Sequence, residues 1–321
     1  MLVLILTSII NLINISQIET SPLSIQESNA LAELNSTLAH RKKWVKVHAA
    51  EYLIWAGYPE AALKEFLEEE KIHSNEPQYR IGIWRVLVQA EKEPARKKMW
   101  LHKIYDAYKD MDGPDRTHAT ETLAKLKQPV TNLFPRVTEK TLTSGDRNLQ
   151  TYALWASSFG SDSLMDKNRQ KFIDMALTDT NLVIRKISTF VLRQSKGLNM
   201  HQWERLTSSA LSSDKTADTY LTFLATSLVT APADADNKKL LQINDLLIKD
   251  IKKYTAGQRT ELSQALAEKG KKKHLRILQG FINDKNSTGI YDPSSDEGAD
   301  LRAAAAYAIL KIKSDKKIKE I

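Results

Sequence analysis

Two similar phrases, residues 47–53 (VHAAEYL) and residues 117–123 (THATETL), lie seventy positions apart in this chain of 321 residues. Each phrase follows a nearby basic residue, contains small side chains and ends on leucine. Self-similarity at a fixed spacing indicates a repeat architecture, in which one supersecondary unit recurs along the chain. The two phrases therefore predict an array of similar units.

A relaxed form of the phrase recurs along most of the chain. It has a basic residue, two residues that are often small three and four positions later, and an apolar residue seven positions later. The first five anchors are separated by 34, 36, 31 and 38 residues, which is about the length of one helical hairpin. The anchors are Lys46, Arg80, Arg116, Arg147, Arg185, Arg259 and Arg302, with a copy that lacks its base at residues 219–226.

Each copy suits one helix of a hairpin, because its small residues let neighbouring helices approach and its apolar residue supplies a packing ridge. Segments between the copies carry apolar residues at three- and four-residue spacing, which indicates a second helix in most units. Sheet-like alternation is missing apart from an ambiguous piece near 131–143. The sequence thus predicts an all-α fold of about eight helical hairpins. The second-helix segments are 60–70, 95–109, 167–177, 202–211, 238–252 and 271–282.

Two copies carry a family resemblance. Val45-Lys46-x-x-Ala49-Ala50-x-x-Leu53 and the matching stretch 301–309 resemble the second helix of the HEAT repeat, in the armadillo-like α-solenoid class. The resemblance implies a right-handed α-α superhelix over about 25–313. Bulky Ile83 and Trp84 depart from the family pattern. The phrases RIGIWRVL and GPDRTHATETLAKL resemble those of uncharacterised exported bacterial helical-repeat proteins. Because HEAT arrays serve as scaffolds, transport factors and a few enzymes, the resemblance implies no particular activity.

Composition narrows the function classes. Apolar residues make up 42% and charged residues 27% of the chain, which indicates a globular protein with a sizeable core. Without cysteine the chain has no disulfide framework, thiolate nucleophile or sulfur-based zinc site. The sequence also contains no Gly-rich phosphate loop and no nucleophile-elbow motif. We therefore expect no catalytic residues, no metal ligands and no cofactor, and hence a non-enzymatic scaffold.

The amino terminus is apolar, and no Lys or Arg precedes Arg41. Residues 1–24 are predicted to be a signal peptide or apolar leader, too short to span a bilayer. The prediction is a periplasmic or exported bacterial protein, and the alternative is a cytoplasmic protein whose first helix is amphipathic. The repeat domain is predicted over 25–313, followed by a basic tail at 314–321. Loops are expected near 128–145, 231–237 and 283–300.

Aromatic and basic residues are interleaved in the amino-terminal half. Trp, Tyr and Arg are favoured at interfaces because they combine large contact area with a polar group. This pattern predicts a groove that binds a protein or peptide partner, with Trp44 as the most exposed ring. The predicted partner-binding residues are Trp44, His48, Glu51, Trp55, Arg80, Trp84, Arg85, Trp100, Arg116, His118 and Glu121.

The pairs His48/Glu51 and His118/Glu121 suggest a second alternative, a metal-dependent enzyme. Each pair has i, i+3 spacing and so lies on one helix face. HEAT-like iron hydroxylases mark their sites with adjacent His-Glu dipeptides, and this chain has none. An intervening repeat also separates the two pairs. Polar residues along a groove wall are therefore the preferred interpretation.

The formal charge of +8 is concentrated late in the chain, because residues 238–285 hold twelve Lys and Arg against five Asp and Glu. Lysine patches attract phosphate without reading bases, so the first alternative function is nucleic-acid binding. Export makes that partner unlikely and leaves association with a membrane surface or membrane protein. The patch is represented by Lys252, Lys253, Lys269, Lys271, Lys272, Lys273 and Arg276.

Overall fold

A computed structural model describes residues 23–212, 219–288 and 290–317. The described part has one isolated bridge between Thr288 and Tyr291 and no strand, which confirms the all-α part of the prediction. The helices are α1 Ile25–His40, α2 Lys43–Trp55, α3 Pro59–His73, α4 Tyr79–Ala90, α5 Pro94–Lys109, α6 Arg116–Lys125, α7 Val130–Leu133, α8 Pro135–Leu142, α9 Arg147–Ser157, α10 Asp162–Thr178, α11 Leu182–Ser195, α12 Met200–Ser212, α13 Tyr220–Val229, α14 Asn237–Lys249, α15 Ala256–Lys269, α16 Leu275–Asn283 and α17 Asp296–Lys317.

Local signals explain where several helices begin. Ser24 and Glu27 form a capping box at α1, in which the Glu27 side chain accepts from the Ser24 backbone N–H at 2.8 Å. Proline occupies the first position of α3 and of α5, where a missing N–H removes no helical hydrogen bond. Gly57 adopts a φ of +93° in the turn between α2 and α3.

Every copy of the repeated pattern lies on a helix of one contact circuit. In order, α2 packs on α4, α4 on α6, α6 on α9, α9 on α11, α11 on α13, α13 on α15, α15 on α17, and α17 on α2. We call these eight the ring helices. The remaining long helices, α1, α3, α5, α8, α10, α12, α14 and α16, each pack on at least one ring helix and are called the outer helices. All six predicted second-helix segments fall on outer helices.

The two ends of the array meet, whereas the ends of an elongated repeat array stay apart. In an elongated array each repeat contacts only its neighbours. Here α17 packs against α1 and α2, and the rings of Tyr52 and Tyr307 stack with centroids 5.1 Å apart. Arg302 Nε donates to Glu33 at 2.7 Å across the same junction. Residues 303–306 of α17 are four buried alanines, so this helix can be packed closely on several sides at once.

The repeated basic residue has a structural role at the N-terminal end of its helix. Its side chain binds a carboxylate, a hydroxyl or a backbone carbonyl that lies outside its own helix. The partners are Glu65 and Glu69 for Lys46, Asp115 for Arg80, Thr141 for Arg116, Asp179 for Arg147, the Ala176 carbonyl for Arg185, the Tyr254 carbonyl for Arg259, and Glu33 for Arg302.

The predicted loops and termini have mixed outcomes. The segment near 128–145 contains the short helices α7 and α8, and α17 begins inside the segment 283–300. Residues 231–236 are not helical. Of the predicted leader only Leu23 and Ser24 fall within the described residues, and of the predicted tail only 314–317 do. None of the helices described here is long and apolar enough to cross a bilayer.

Candidate functional site

A cavity of about 400 Å³ lies where the C-terminal parts of six ring helices, α2, α4, α6, α11, α13 and α15, come together beside the middle of α17. We call it the central cavity. Trp55 ends α2, Lys125 ends α6, and Val229 ends α13, so the lining comes from helix ends more than from helix starts. Pockets of this volume accommodate small ligands or one to two side chains. The lining residues are His48, Glu51, Tyr52, Trp55, Gln89, Lys125, Leu126, Lys127, Phe190, Arg193, Gln194, Lys196, Val229, Gln264, Glu268 and Tyr307.

Trp55 is the exposed aromatic ring of this cavity, with 46% of its surface accessible. Its ring packs edge-on against Tyr52 and Tyr307, with both centroid distances 5.8 Å. Trp55 Nε1 donates to Gln89 Oε1 at 2.9 Å. Because the indole is held on its edge and at its nitrogen, it presents a fixed apolar surface to the cavity.

A buried ion pair supports the wall next to Trp55. Arg85 donates to both Glu51 oxygens at 2.7 and 3.0 Å, and Gln89 Nε2 donates to Glu51 Oε1 at 2.9 Å. Burial raises the pKa of the Glu51 carboxyl, but Arg85 and Lys125 outweigh that effect and hold it at about 2. Glu51 is therefore an ionised, fully bonded group at neutral pH.

The opposite wall is built around Arg193 of α11. Its guanidinium pairs with Glu261 and donates from Nη2 to Gln264 Oε1 at 3.2 Å. Gln264 Nε2 in turn donates to the Tyr52 hydroxyl at 2.9 Å. This chain of contacts connects α11 and α15 with α2 across the cavity.

His48 is the only imidazole in the lining of the central cavity. Its Nδ1 lies 2.9 Å from Asp300 Oδ1, which orients the ring across the junction between α2 and α17. A His–Asp pair can act as a general base, and the lining residues that the structure describes include no Ser, Thr or Cys nucleophile. The Tyr52 hydroxyl accepts from Gln264, and burial raises the pKa of Tyr52 well above its usual range.

Three predicted partner-binding residues, His48, Glu51 and Trp55, do line the central cavity, and Arg85 supports them from behind. Glu121 lies in the same wall without lining the cavity. It pairs with Lys125 at 2.8 Å, and its charge acts on Arg85. Burial opposes ionisation of Glu121, but Lys125 and Arg85 lower its pKa.

Trp44 is not the most exposed tryptophan, and that prediction was wrong. Its ring stacks on His118 with centroids 5.3 Å apart and packs edge-on against Tyr79. The ring also fits against the bare backbone of Gly82, where an added Cβ would lie 3.0 Å from it. Burial lowers the pKa of His118, which favours the neutral ring. Trp44 and His118 therefore belong to the packing between ring helices.

The other predicted residues lie away from the central cavity. Arg80 and Trp84 line a separate shallow groove of about 380 Å³, where Arg80 is bound to Asp115. Trp100 is buried, with the Lys103 ammonium 4.8 Å above its ring. Arg116 is buried against Thr141. The predicted set is thus divided between one cavity wall, the helix packing and a second groove.

The predicted basic patch lies on the 3₁₀ turns that precede α15 and α16 and on the adjoining ends of these two helices. All seven of its named residues are exposed. Lys253 pairs with Asp250 at 3.6 Å, and Lys272 and Arg276 border an open depression of about 500 Å³. None of the seven lines the central cavity.

The two His/Glu pairs do not assemble a metal centre. His48 is bound to Asp300, Glu51 to Arg85, Glu121 to Lys125, and His118 is stacked on Trp44. In residues 23–212, 219–288 and 290–317, no group of three or more His, Asp or Glu side chains could hold a metal ion.

The repeat register contains a signal for the cavity that the sequence reading missed. The residues five and nine positions after each basic anchor are about one helical turn apart and share a face of the helix. That face points to the central cavity in most units. Lining residues at the fifth position are Glu51, Phe190, Gln264 and Tyr307, and those at the ninth position are Trp55, Gln89, Lys125, Gln194 and Glu268.

No protein-family model matches this chain, and no curated protein matches it either. The resemblance to HEAT repeats therefore stands on the repeated residues and on the all-helical fold. The site has to be interpreted from its own geometry.

Proposed function

We propose that this chain is a non-enzymatic helical-repeat protein that binds a segment of a protein partner in the central cavity. In this proposal the chain consists of eight HEAT-like hairpins, with α7 as an insertion, whose first and last members close on each other. The proposal rests chiefly on one observation, the rigid and half-exposed Trp55 ring at the point where the ring helices end.

The mounting of Trp55 supports this role. Interfaces draw most of their affinity from a few aromatic or Arg side chains in well-packed surroundings. Trp55 is held by Tyr52, Tyr307 and Gln89 before any partner arrives, so little ordering entropy is lost on binding. The other five tryptophans are buried or half-buried.

The size and polarity of the cavity support a peptide segment as the occupant. A volume of about 400 Å³ holds one or two side chains and excludes a folded domain. The lining combines apolar Phe190, Val229 and Leu126 with the amides of Gln89, Gln194 and Gln264. Such a lining can bury an apolar side chain, while the exposed Gln194 amide, which has no hydrogen bond to the described part of the chain, can pair with a peptide N–H or C=O group.

The test compares two tryptophan substitutions on an array of random heptapeptides. Trp55→Ala should weaken the best-binding peptides by about tenfold or more, because it removes the stacking surface, and should cost about 1 kcal/mol of unfolding free energy. Trp44→Ala should do the reverse, with affinity kept within about twofold and a larger stability loss of about 2–3 kcal/mol. The proposal would be refuted if both variants lost the same affinity. It would also be refuted if neither the wild type nor Trp44→Ala bound any peptide.

A further inference from the structure

The acidic groups of the central cavity already have partners. Glu51 is bound by Arg85 and Gln89, and Glu268 is bound by Lys196 at 2.7 Å. Behind the lining, Glu121 pairs with Lys125, Glu261 with Arg193, and Asp300 with His48. A cationic ligand would have to displace one of these contacts.

Two cationic side chains of the lining have unused donors. The Nε–H of Arg193 is buried and has no acceptor among the described residues. A buried donor without a partner costs free energy, which a ligand oxygen can recover. The Lys127 side chain is exposed at the cavity, with no ion pair or hydrogen bond to the described part of the chain. Both free donors, the Arg193 Nε–H and the Lys127 ammonium, belong to cationic side chains. An anionic hydrogen-bond acceptor therefore suits them.

Backbone geometry places two lysines at the cavity in positions that usually suit glycine. Lys127 follows α6 with a φ of +54°, and Lys196 follows α11 with a φ of +51°. Helices commonly end on Gly or Asn at a positive φ, which is an unfavourable conformation for a residue with a Cβ. Lys125 already interacts with the C-terminal end of α6 without such a cost. Lys127 therefore adds a positive charge beyond what the helix end requires.

Resting on the function proposed above, we infer that the central cavity selects a segment with a carboxylate next to an apolar or aromatic side chain. The side chain packs on Trp55 and the apolar lining from Phe190 and Val229. The carboxylate pairs with Lys127 and accepts from the Arg193 Nε–H. The carboxylate can come from a C-terminus or from an Asp or Glu side chain, because both present the same two oxygens.

The test uses three arrays of random heptapeptides and the full chain. One array has free C-termini, one has amidated C-termini, and one is amidated with Asp and Glu left out. We expect the best affinity to fall at least tenfold, about 1.4 kcal/mol, on the array without any carboxylate. Retention on the amidated array would assign an Asp or Glu side chain, and loss there would assign the C-terminus.

Two variants connect the preference to this site. Lys127→Gln should lower the affinity ratio between peptides with and without a carboxylate at least fivefold. Binding to carboxylate-free peptides should stay unchanged. Lys97→Gln, the same change at an exposed lysine of α5, should alter affinity less than twofold. Equal binding to all three arrays, or a full preference kept in Lys127→Gln, overturns the inference and leaves the proposed function standing. Binding to none of the arrays overturns both.

Discussion

The two ends of the ring helices are built from the same repeat and are used differently. At the N-terminal ends a basic residue recurs in seven of the eight copies, and each one is bonded to a neighbouring segment. At the C-terminal ends the residues vary from unit to unit and line the central cavity. Regularity in this sequence marks the contacts that hold the N-terminal end of each ring helix to an adjoining segment. Variation at a fixed register marks the surface available for binding.

The largest expected effect concerns the buried ion pair between Arg85 and Glu51 in the wall of the central cavity. Arg85→Met leaves the Glu51 carboxylate buried without its cation, which should lower the free energy of unfolding by about 3–5 kcal/mol in urea titrations. The double variant Arg85→Met with Glu51→Met should regain at least half of that loss, since no uncompensated charge is left. A single variant that loses less than about 1 kcal/mol would show that the pair does not support the wall.

Acid should lower the free energy of unfolding, because it protonates the Glu51 carboxylate of this ion pair. The pKa of Glu51 is about 2 in the folded chain against 4.5 as the ordinary value, so folding favours its ionised form. This contribution is fully present above about pH 4.5 and is lost as the pH falls towards 2, a change of roughly 3 kcal/mol. Glu69 and Glu121 act in the same direction. Urea midpoints between pH 6 and 2.5 check this, and the Arg85→Met/Glu51→Met variant should show a smaller decline. An equal decline in both proteins would contradict the role of Glu51.

A smaller effect distinguishes the N-terminal ends from the cavity. Arg302→Met removes the contacts of α17 with Glu33 and with the Pro293 carbonyl, and should cost about 1.5–3 kcal/mol of unfolding free energy. Peptide affinity should stay within about twofold. The matched control, Arg276→Met on the exposed basic patch, should change stability by less than about 0.5 kcal/mol. A large affinity loss in Arg302→Met would remove the distinction between the two ends.

The fold was largely predictable from the sequence because its signals are local. Small residues such as Ala49 and Ala50, the spacing of the anchors, and prolines at helix starts identify the ring and outer helices without distant information. The junction between the first and last helices was not predictable in this way. Tyr52 and Tyr307 are 255 residues apart, and no local pattern indicates that their rings will stack.

The site was only partly predictable, because composition indicates which residue types suit an interface but not their orientation. Trp44 and Trp55 lie on one helix, yet one packs between ring helices and the other faces the cavity. Their register separates them, since Trp55 is nine positions after Lys46 and Trp44 precedes that anchor. Arg193, Lys127 and Lys196 were missed because their importance depends on the closing of the ring.

The most direct test of the account is hydrogen–deuterium exchange of the full chain with and without the best-binding array peptide. Added protection should concentrate at the C-terminal ends of the ring helices, in segments 51–56, 88–91, 124–128, 190–196 and 264–270. Exchange at the N-terminal ends, for example in 79–83 and 116–120, should stay unchanged. Protection concentrated at those N-terminal ends, or in the basic patch at 269–276, would contradict the account.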